Sequence, residues 1–477
     1  MRFAKILLGV ALTSLSLSQS TTSDCNYEWM TQPIDHHGAT NGTFQQRFSV
    51  FSEFFKPGGP IMFFQGEESW ALDCANTTVQ YTYARELKGI AVSLEHRYFG
   101  QSLPFGDASH TPENMEYLSL DNVMADAVAF ISQIKENYTG AADSKAIVAS
   151  GSYGGFLAAA FRLSRPDTFY GALASAGPVP NKGFVNSTDP NIYNWWTWVN
   201  RVYLDRSAEA SAKIKRAFKV LQSRLASTDI ASLKDQLGLC TSPSLNDTVS
   251  LGQLRTFLTL VFSQAVELNY PVPQPGRAPV ANAVDEVIKI ALDEDDPMQI
   301  LNRTFWLWYG AEGPGHANCF NFTDSNFASK AVWLIEQTPF RYIVCSYFPL
   351  RSNFIPNGTI FLPTGTDAVK LSAENCQRQW GITPLTDKEI EERYHFSPAD
   401  IQKSTRIIWS NGEFDPVSAV SVSYLPPSVD PCASRMILTS NMAHCEDLFL
   451  PGSSDRVTIT QLREKEIAIF KEWLTYC

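Results

Sequence analysis

The spacing of apolar residues changes character twice along this chain, and the changes divide it. Up to about residue 180, short apolar runs alternate with helical stretches. Phe44–Phe55 alternates loosely, while Pro60-Ile-Met-Phe-Phe64 and Gly89-Ile-Ala-Val-Ser-Leu94 are nearly continuous. Lys56-Pro-Gly-Gly59 between the first two has turn chemistry, so strands are predicted on either side. A helical stretch ends near Leu87, and Asp121–Tyr138 puts Val123, Ala127, Phe130, Ile131 and Ile134 on one helical face. Ala146–Ala149 and Gly171–Ala174 are further buried strands. Strand, helix and strand in rotation predict a mostly parallel sheet covered on both faces.

Beyond residue 180 the strand signal fades. Helical segments are predicted over Ala208–Leu225, Leu251–Val266 and Asn282–Leu292, in a region that also holds the Trp195-Trp196-Thr197-Trp198 cluster. Strand-like runs return at Arg406–Trp409 and Met436–Leu438, and a last helix is predicted over Ile459–Leu474. The simplest organisation is one α/β domain interrupted by a helical cap over its active-site edge. The divisions are 1–20 a signal peptide, 21–180 the first part of the core, 181–327 the cap and 328–477 the second part of the core.

The signal peptide is read from Arg2 and Lys5, the apolar stretch Ile6–Leu17 and the small residues of Ser18-Gln19-Ser20. No later run is apolar for long enough to span a bilayer. The expectation is therefore a chain free of the membrane after signal removal, either secreted or in a vacuolar or lysosomal lumen. Eight N-x-S/T sequons, at Asn41, Asn76, Asn137, Asn186, Asn246, Asn302, Asn321 and Asn357, are candidate glycosylation sites. Nine cysteines show no C-x-x-C pair, which points to disulfides rather than a metal finger and leaves at least one thiol over. The net charge is −11, or −13 once Arg2 and Lys5 are removed, with no basic cluster, so nucleic acid is not expected as a partner. No metal or organic cofactor is implied. Oligomeric state, a homodimer included, is left open.

The candidate chemistry centres on Ile147-Val-Ala-Ser-Gly-Ser152-Tyr-Gly-Gly155. An apolar run breaks into Ser and Gly, and a helical stretch, Phe156–Leu163, follows at once. This is the layout of a nucleophile elbow, which needs small neighbours at Gly151, Gly154 and Gly155; Ser150 stands where G-x-S-x-G has its first glycine. In that fold the acid and then the histidine follow in chain order. Asp415 ends a loop after the Arg406–Trp409 strand, and His444 lies between Met436–Leu438 and the last helix. His395, in the polar stretch Glu391-Glu-Arg-Tyr-His, reads as a surface residue. A serine hydroxyl becomes a nucleophile when imidazole takes its proton, and a buried carboxylate fixes the imidazole tautomer. The backbone N–H groups of Tyr153 and Glu67 are the candidate oxyanion donors, Glu67 from the loop after an early strand.

These motifs, with Glu95-His96-Arg97-Tyr98, Tyr117-Leu-Ser-Leu-Asp-Asn122, Ser410-Asn-Gly-Glu-Phe-Asp415-Pro416 and Ala443-His444-Cys-Glu-Asp-Leu448, resemble the S28 serine peptidases. That group includes lysosomal Pro-X carboxypeptidase, dipeptidyl peptidase II and fungal acid prolyl endopeptidases. The resemblance implies an α/β-hydrolase core with a helical (SKS-like) cap, and cleavage of peptides through an acyl-enzyme, often after proline and at acidic pH. It assigns Ser152 as nucleophile, His444 as general base and acid, and Asp415 as its orienter, with His96 and Arg97 structural. Glu68 and Val417 become candidate substrate-binding residues. Val417 stands where members commonly carry a tryptophan, and Tyr347 where many carry a glutamate; Gly66-Glu67-Glu68-Ser69 replaces a Gly-Asn-Glu-Gly style loop. Acid operation requires His444 to stay neutral below about 6.5. Two rivals share the triad: a secreted esterase or lipase, and a silent binding protein on the same scaffold.

Overall fold

The computed structural model describes residues 25–38, 40–68, 72–180, 194–226, 230–240, 248–274, 278–310, 319, 338–349, 354–364 and 368–477. The stretch read as a signal peptide lies outside the described residues. Strands β1 (Tyr27–Pro33), β2 (Thr43–Phe51) and β3 (Ile61–Gln65) come first. Helix α1 (Val79–Leu87), β4 (Ile90–Leu94), α2 (Leu120–Asn137), β5 (Ala146–Gly151), α3 (Tyr153–Ser164) and β6 (Phe169–Ser175) follow. Among the described residues only helices occupy the next long stretch. They are α4 (Asn194–Arg206), α5 (Ala208–Leu225), α6 (Ile230–Leu237), α7 (Thr248–Glu267), α8 (Ala283–Asp293) and α9 (Pro297–Tyr309), then α10 (Thr338–Ser346), α11 (Ala368–Trp380), α12 (Asp387–Tyr394) and α13 (Pro398–Lys403). Strands β7 (Ile407–Gly412) and β8 (Arg435–Thr439) and helix α14 (Val457–Tyr476) close the chain.

The eight strands form one sheet in the order β1-β2-β4-β3-β5-β6-β7-β8. β1 and β2 run antiparallel to their neighbours, and every pairing from β4 through β8 is parallel. This is an α/β-hydrolase core. Strands β3, β4 and β5 are buried along their whole length, as the continuous apolar runs require. Their side chains alternate between two cores. Ile61, Phe63 and Val148 face α2 and α3, whose stripe residues Val123, Ala127, Phe130, Ile131 and Ile134 complete that cluster. Met62, Ile147 and Ala149 face α1 and α14, in a cluster continuous with α4 to α9. Helix α2 starts where Ser119 caps it, accepting the Asn122 N–H.

Several elements went unread in the sequence, β1 and α11 to α13 among them, for physical reasons. β1 is an edge strand paired on one side with β2, and most of its residues are at least partly exposed, so its apolar signal is weak. The short helices α11 to α13 bury few residues. The signal of α12 is capping: Thr386 accepts the Glu389 N–H while the Glu389 carboxylate returns to the Thr386 N–H.

Four disulfides join Cys25 to Cys74, Cys240 to Cys319, Cys345 to Cys376 and Cys432 to Cys477. The thiol left over is Cys445, which is buried. No helix among the described residues is long and apolar enough to cross a membrane. Of the sequons, Asn41, Asn137 and Asn357 are exposed and Asn76 is half-buried. Asn302 lies inside α9 with its side-chain amide donating to the Gln236 carbonyl at 3.0 Å. Asn186, Asn246 and Asn321 lie outside the described residues.

Helix α3 approaches the end of β6 so closely that no side chain fits between. A methyl group at Gly155 would stand 2.5 Å from the Ser175 carbonyl oxygen and 2.9 Å from the Gly177 Cα. Both neighbours are backbone and cannot swing away. Gly155→Ala is expected to cost about 1–3 kcal/mol, the range of an overpacked core, in denaturant unfolding; an unchanged midpoint would contradict this packing.

Candidate active site

The C-terminal ends of β5 to β8 lie side by side, with Gly151 opposite Ser175, Ser175 opposite Ser410 and Gly412 opposite Thr439. This is the edge where open α/β sheets place their sites. Ser152 turns the chain from β5 into α3 with φ 56° and ψ −125°, a backbone state that costs a serine of order 1–3 kcal/mol. It is held there at both ends of its peptide. The Ser152 N–H donates to the Ser175 carbonyl at 2.9 Å, and its carbonyl accepts the Phe156 N–H at 3.1 Å. Tyr153 takes the first helical position, where an N–H has no intrahelical acceptor.

Gly151 packs against the loop that bears His444: a methyl at Gly151 would stand 2.5 Å from Cys445 Sγ and 2.8 Å from a Leu448 methyl. His444 Nδ1 lies 2.8 Å from Asp415 Oδ2. Asp415 is fully buried. Its other oxygen, Oδ1, accepts the Val417 N–H at 3.0 Å, and its carbonyl accepts the Ser418 N–H. A carboxylate so held accepts the Nδ1 proton and leaves Nε2 as the basic nitrogen. Burial, the largest single influence, lowers the proton affinity of His444, but the Asp415 carboxylate and the neighbouring Cys445 together raise the imidazole well above its ordinary value. That is the opposite of what acid operation requires. The expectation of activity far below neutrality therefore has no support in this arrangement.

Val417 is buried in the core, and what the geometry shows of it at the site is its N–H on Asp415. Glu67 approaches α3 with its side chain: its Oε2 lies 3.2 Å from where a methyl on Gly154 would stand. Glu68 is buried, close enough to Tyr153 for its charge to disfavour ionisation of the phenol. His395 is exposed at the end of α12, away from this edge.

The Glu-His-Arg-Tyr segment lies behind the site. Arg97 is fully buried and grips Asp126 with Nε at 2.6 Å and Nη2 at 2.7 Å. Glu95 pairs with Arg47 and accepts from Ser102 Oγ at 2.7 Å. His96 Nδ1 faces the Arg97 carbonyl at 2.7 Å and Nε2 faces Tyr153 Oη at 2.9 Å. A carbonyl can only accept, so Nδ1 carries the proton and Nε2 accepts from the Tyr153 hydroxyl. Tyr153 Oη then accepts from Tyr347 Oη, 2.7 Å away. The departure at Tyr347 thus lies against Tyr153, the residue that follows Ser152.

Sequence reasoning missed what the helices contribute. His444 donates its N–H to the Glu267 carbonyl at the end of α7, and Tyr270 Oη donates to the His444 carbonyl; both are 2.8 Å. Trp198 Nε1 donates to the Glu413 carbonyl at 3.0 Å, and Arg206 reaches Asn441. The tryptophan cluster was the visible signal; Glu267 and Tyr270 left none, because a backbone carbonyl and a single hydroxyl have no motif.

Burial pushes His96 down to about 4 from its ordinary 6.5, with its Arg97 hydrogen bond and the Asp126 charge opposing and the Arg97 charge assisting. The folded chain resists a proton that the unfolded chain binds. Stability from this site is present above about 6.5 and is lost as pH falls through 4, a span worth about 3 kcal/mol. Urea unfolding at pH 7, 5.5 and 4 should show that decline, and His96→Gln should remove this part of it. A flat profile would mean that the relay accommodates the charged ring.

Residues 32–466 match the sequence profile of the family described as serine carboxypeptidase S28. Lysosomal Pro-X carboxypeptidase of Bos taurus is 28% identical over 97% of this chain and 91% of its own length. Prolyl carboxy peptidase like protein 5 of Caenorhabditis elegans is 26% identical over 94% and 89%. Among solved structures, a proline iminopeptidase of Mycobacterium smegmatis covers 94% of this chain and 98% of its own, at 12% identity and a TM-score of 0.40. With the match running from β1 into α14 and through every motif at the sheet edge, this chain belongs to the S28 family of serine peptidases.

Proposed function

We propose that Ser152, His444 and Asp415 form the catalytic triad and that the enzyme cleaves peptide bonds after proline. The observation that carries the reading is the strained Ser152 capping α3 beside the loop that presents His444, with Nδ1 already bound to a buried Asp415. The family supplies the serine peptidase activity, and the relatives named as Pro-X carboxypeptidases support proline at the cleaved position.

Ser152 Oγ attacks the scissile carbonyl carbon as His444 Nε2 takes its proton. Asp415 keeps the ring in the Nδ1–H tautomer and stabilises the imidazolium. The oxyanion accepts from the Tyr153 and Glu67 N–H groups, at the positive end of α3. His444 then protonates the leaving amine, and water repeats the cycle on the acyl-enzyme. The helices of 181–327 act as the cap, and substrate peptides enter between them and the sheet edge. The chain works in a secretory or lysosomal lumen, with glycans on the exposed Asn41, Asn137 and Asn357.

The test is digestion of a diverse peptide library from pH 4 to 9, read by mass spectrometry, beside Ser152→Ala. Cuts after proline that vanish in the variant are expected, with a loss of about 10⁴–10⁶ in kcat. The acid limb of kcat/KM should lie above pH 6.5, because the free enzyme's His444 must lose its proton first. Asp415→Asn should lower kcat by about 10⁴. Ester cleavage without peptide cleavage would favour the esterase reading, and no Ser152-dependent turnover at all would favour the silent scaffold.

A further inference from the structure

Behind the candidate triad lies a cluster of buried ionisable groups with no part in the mechanism above. Asp447 follows His444 by three residues, and Glu466 lies on α14; both are fully buried. Each has one oxygen engaged. Ser175 Oγ donates to Asp447 Oδ1 at 2.6 Å, and Tyr83 Oη donates to Glu466 Oε2 at 2.5 Å. The other oxygens, Asp447 Oδ2 and Glu466 Oε1, have no donor in hydrogen-bond geometry. The two carboxyls lie within each other's reach, and the Ser410 hydroxyl stands beside Asp447.

The nearest cation is already committed. Arg463 donates Nε to the Asp447 carbonyl, Nη2 to the Glu446 carbonyl and Nη1 to the Asp455 carboxylate. Arg456 is paired with Glu446. Cys445 and the Tyr83 phenol face the cluster as neutral groups, burial raising both well into the alkaline range or beyond. Two carboxylates in one dry site, with no direct cation, cannot both be charged. One proton between them satisfies both orphaned oxygens at once.

We propose that Asp447 and Glu466 share one proton, and that this singly protonated pair positions the His444 loop against the Ser152 turn and releases it when the proton is lost at alkaline pH. The linkage is short. Asp447 holds the Ser175 hydroxyl, while the Ser175 carbonyl holds the Ser152 N–H at 2.9 Å and faces the Cys445 thiol at 3.9 Å. Ionising the pair puts two like charges in contact, and separating them displaces Asp447 and with it the loop carrying His444. Burial raises both carboxyls above their ordinary range, Glu466 the more strongly. Their stabilisation is complete below about pH 4 and is lost as pH rises through the raised folded value. The positioning role rests on the triad proposed above; the shared proton does not.

Glu466→Gln tests both parts, because an amide donates to Asp447 and accepts from Tyr83 without titrating. Thermal unfolding of the full chain is followed from pH 5 to 10, in parallel with kcat/KM. Wild type is expected to lose stability and activity together on the alkaline side. In Glu466→Gln the alkaline midpoint should rise by at least one unit, so that activity relative to its own plateau is about tenfold that of wild type at high pH. Asp447→Asn, which offers a second non-titrating pairing, should shift the unfolding midpoint in the same sense. The infrared band of a protonated carboxyl should be present at neutral pH in wild type and absent from Glu466→Gln. Unshifted alkaline limbs in both variants, or no such band in wild type, would overturn the proposal. Shifted unfolding in an enzyme whose cleavage does not need Ser152 would keep the proton pair and discard the triad.

Discussion

The end of β6 is the point on which the site depends. One carbonyl, that of Ser175, receives the Ser152 N–H and faces the Cys445 thiol, while the hydroxyl of the same residue reaches Asp447. A serine at φ 56° does not stay there unaided, since the conformation is uphill by an amount comparable with a good hydrogen bond or more. Parallel pairing of β5, β6 and β7 sets that carbonyl in register with Gly151 on one side and Ser410 on the other. Close packing of α3 then leaves the turn no alternative path. The strain at Ser152 is thus balanced by the sheet rather than by any contact of its own side chain.

The helical region is more than a lid by geometry. Its α7 terminus and Tyr270 hold both faces of the His444 peptide unit, and Trp198 of α4 holds the loop that leads to Asp415. The histidine and acid loops of the sheet edge are therefore braced from the helices, whereas Ser152 is braced from the sheet. A change in the helices consequently reaches His444 and Asp415 before it reaches Ser152. Two of the departures from the family pattern, Val417 and Tyr347, fall on either side of this division. Val417 packs in the core below the acid loop, and Tyr347 stands at the head of a hydroxyl relay that ends on His96.

Buried ionisable groups surround the site in opposed senses. Asp415 favours the charged form of His444, and burial favours the neutral form of His96. Burial also raises the proton affinity of Asp447 and Glu466 above that of ordinary carboxyls. Acid works against the first two groups and alkali against the last two. The same low dielectric acts on all four, and the sign follows from the charge each group would carry and the partner beside it.

Much of this was legible before any fold was known. Nearly continuous apolar runs, such as Ile61–Phe64 and Ile90–Leu94, bounded by turn residues read as strands covered on both faces, and the α2 stripe repeats at helical spacing because one face meets the sheet. Ser152, Asp415 and His444 stood out because their elements have local signatures: a strand breaking into small residues, a strand ending in a loop, and a loop before a long helix. The edge strand β1 and the helices α11 to α13 did not, since weak burial leaves weak periodicity. Nothing in the one-dimensional pattern linked Asp447 to Glu466, Tyr347 to Tyr153, or Glu267 to His444. Those pairs are 19, 194 and 177 positions apart, and their chemistry is a matter of distance and burial. Sequence by itself determined the mostly parallel sheet, the chain order of the candidate chemistry and that an odd thiol is left over, because each follows from local pattern and composition. Tertiary structure alone decided which charges are stable and what holds the histidine, because proton affinity and orientation depend on partners that only folding brings within 3 Å.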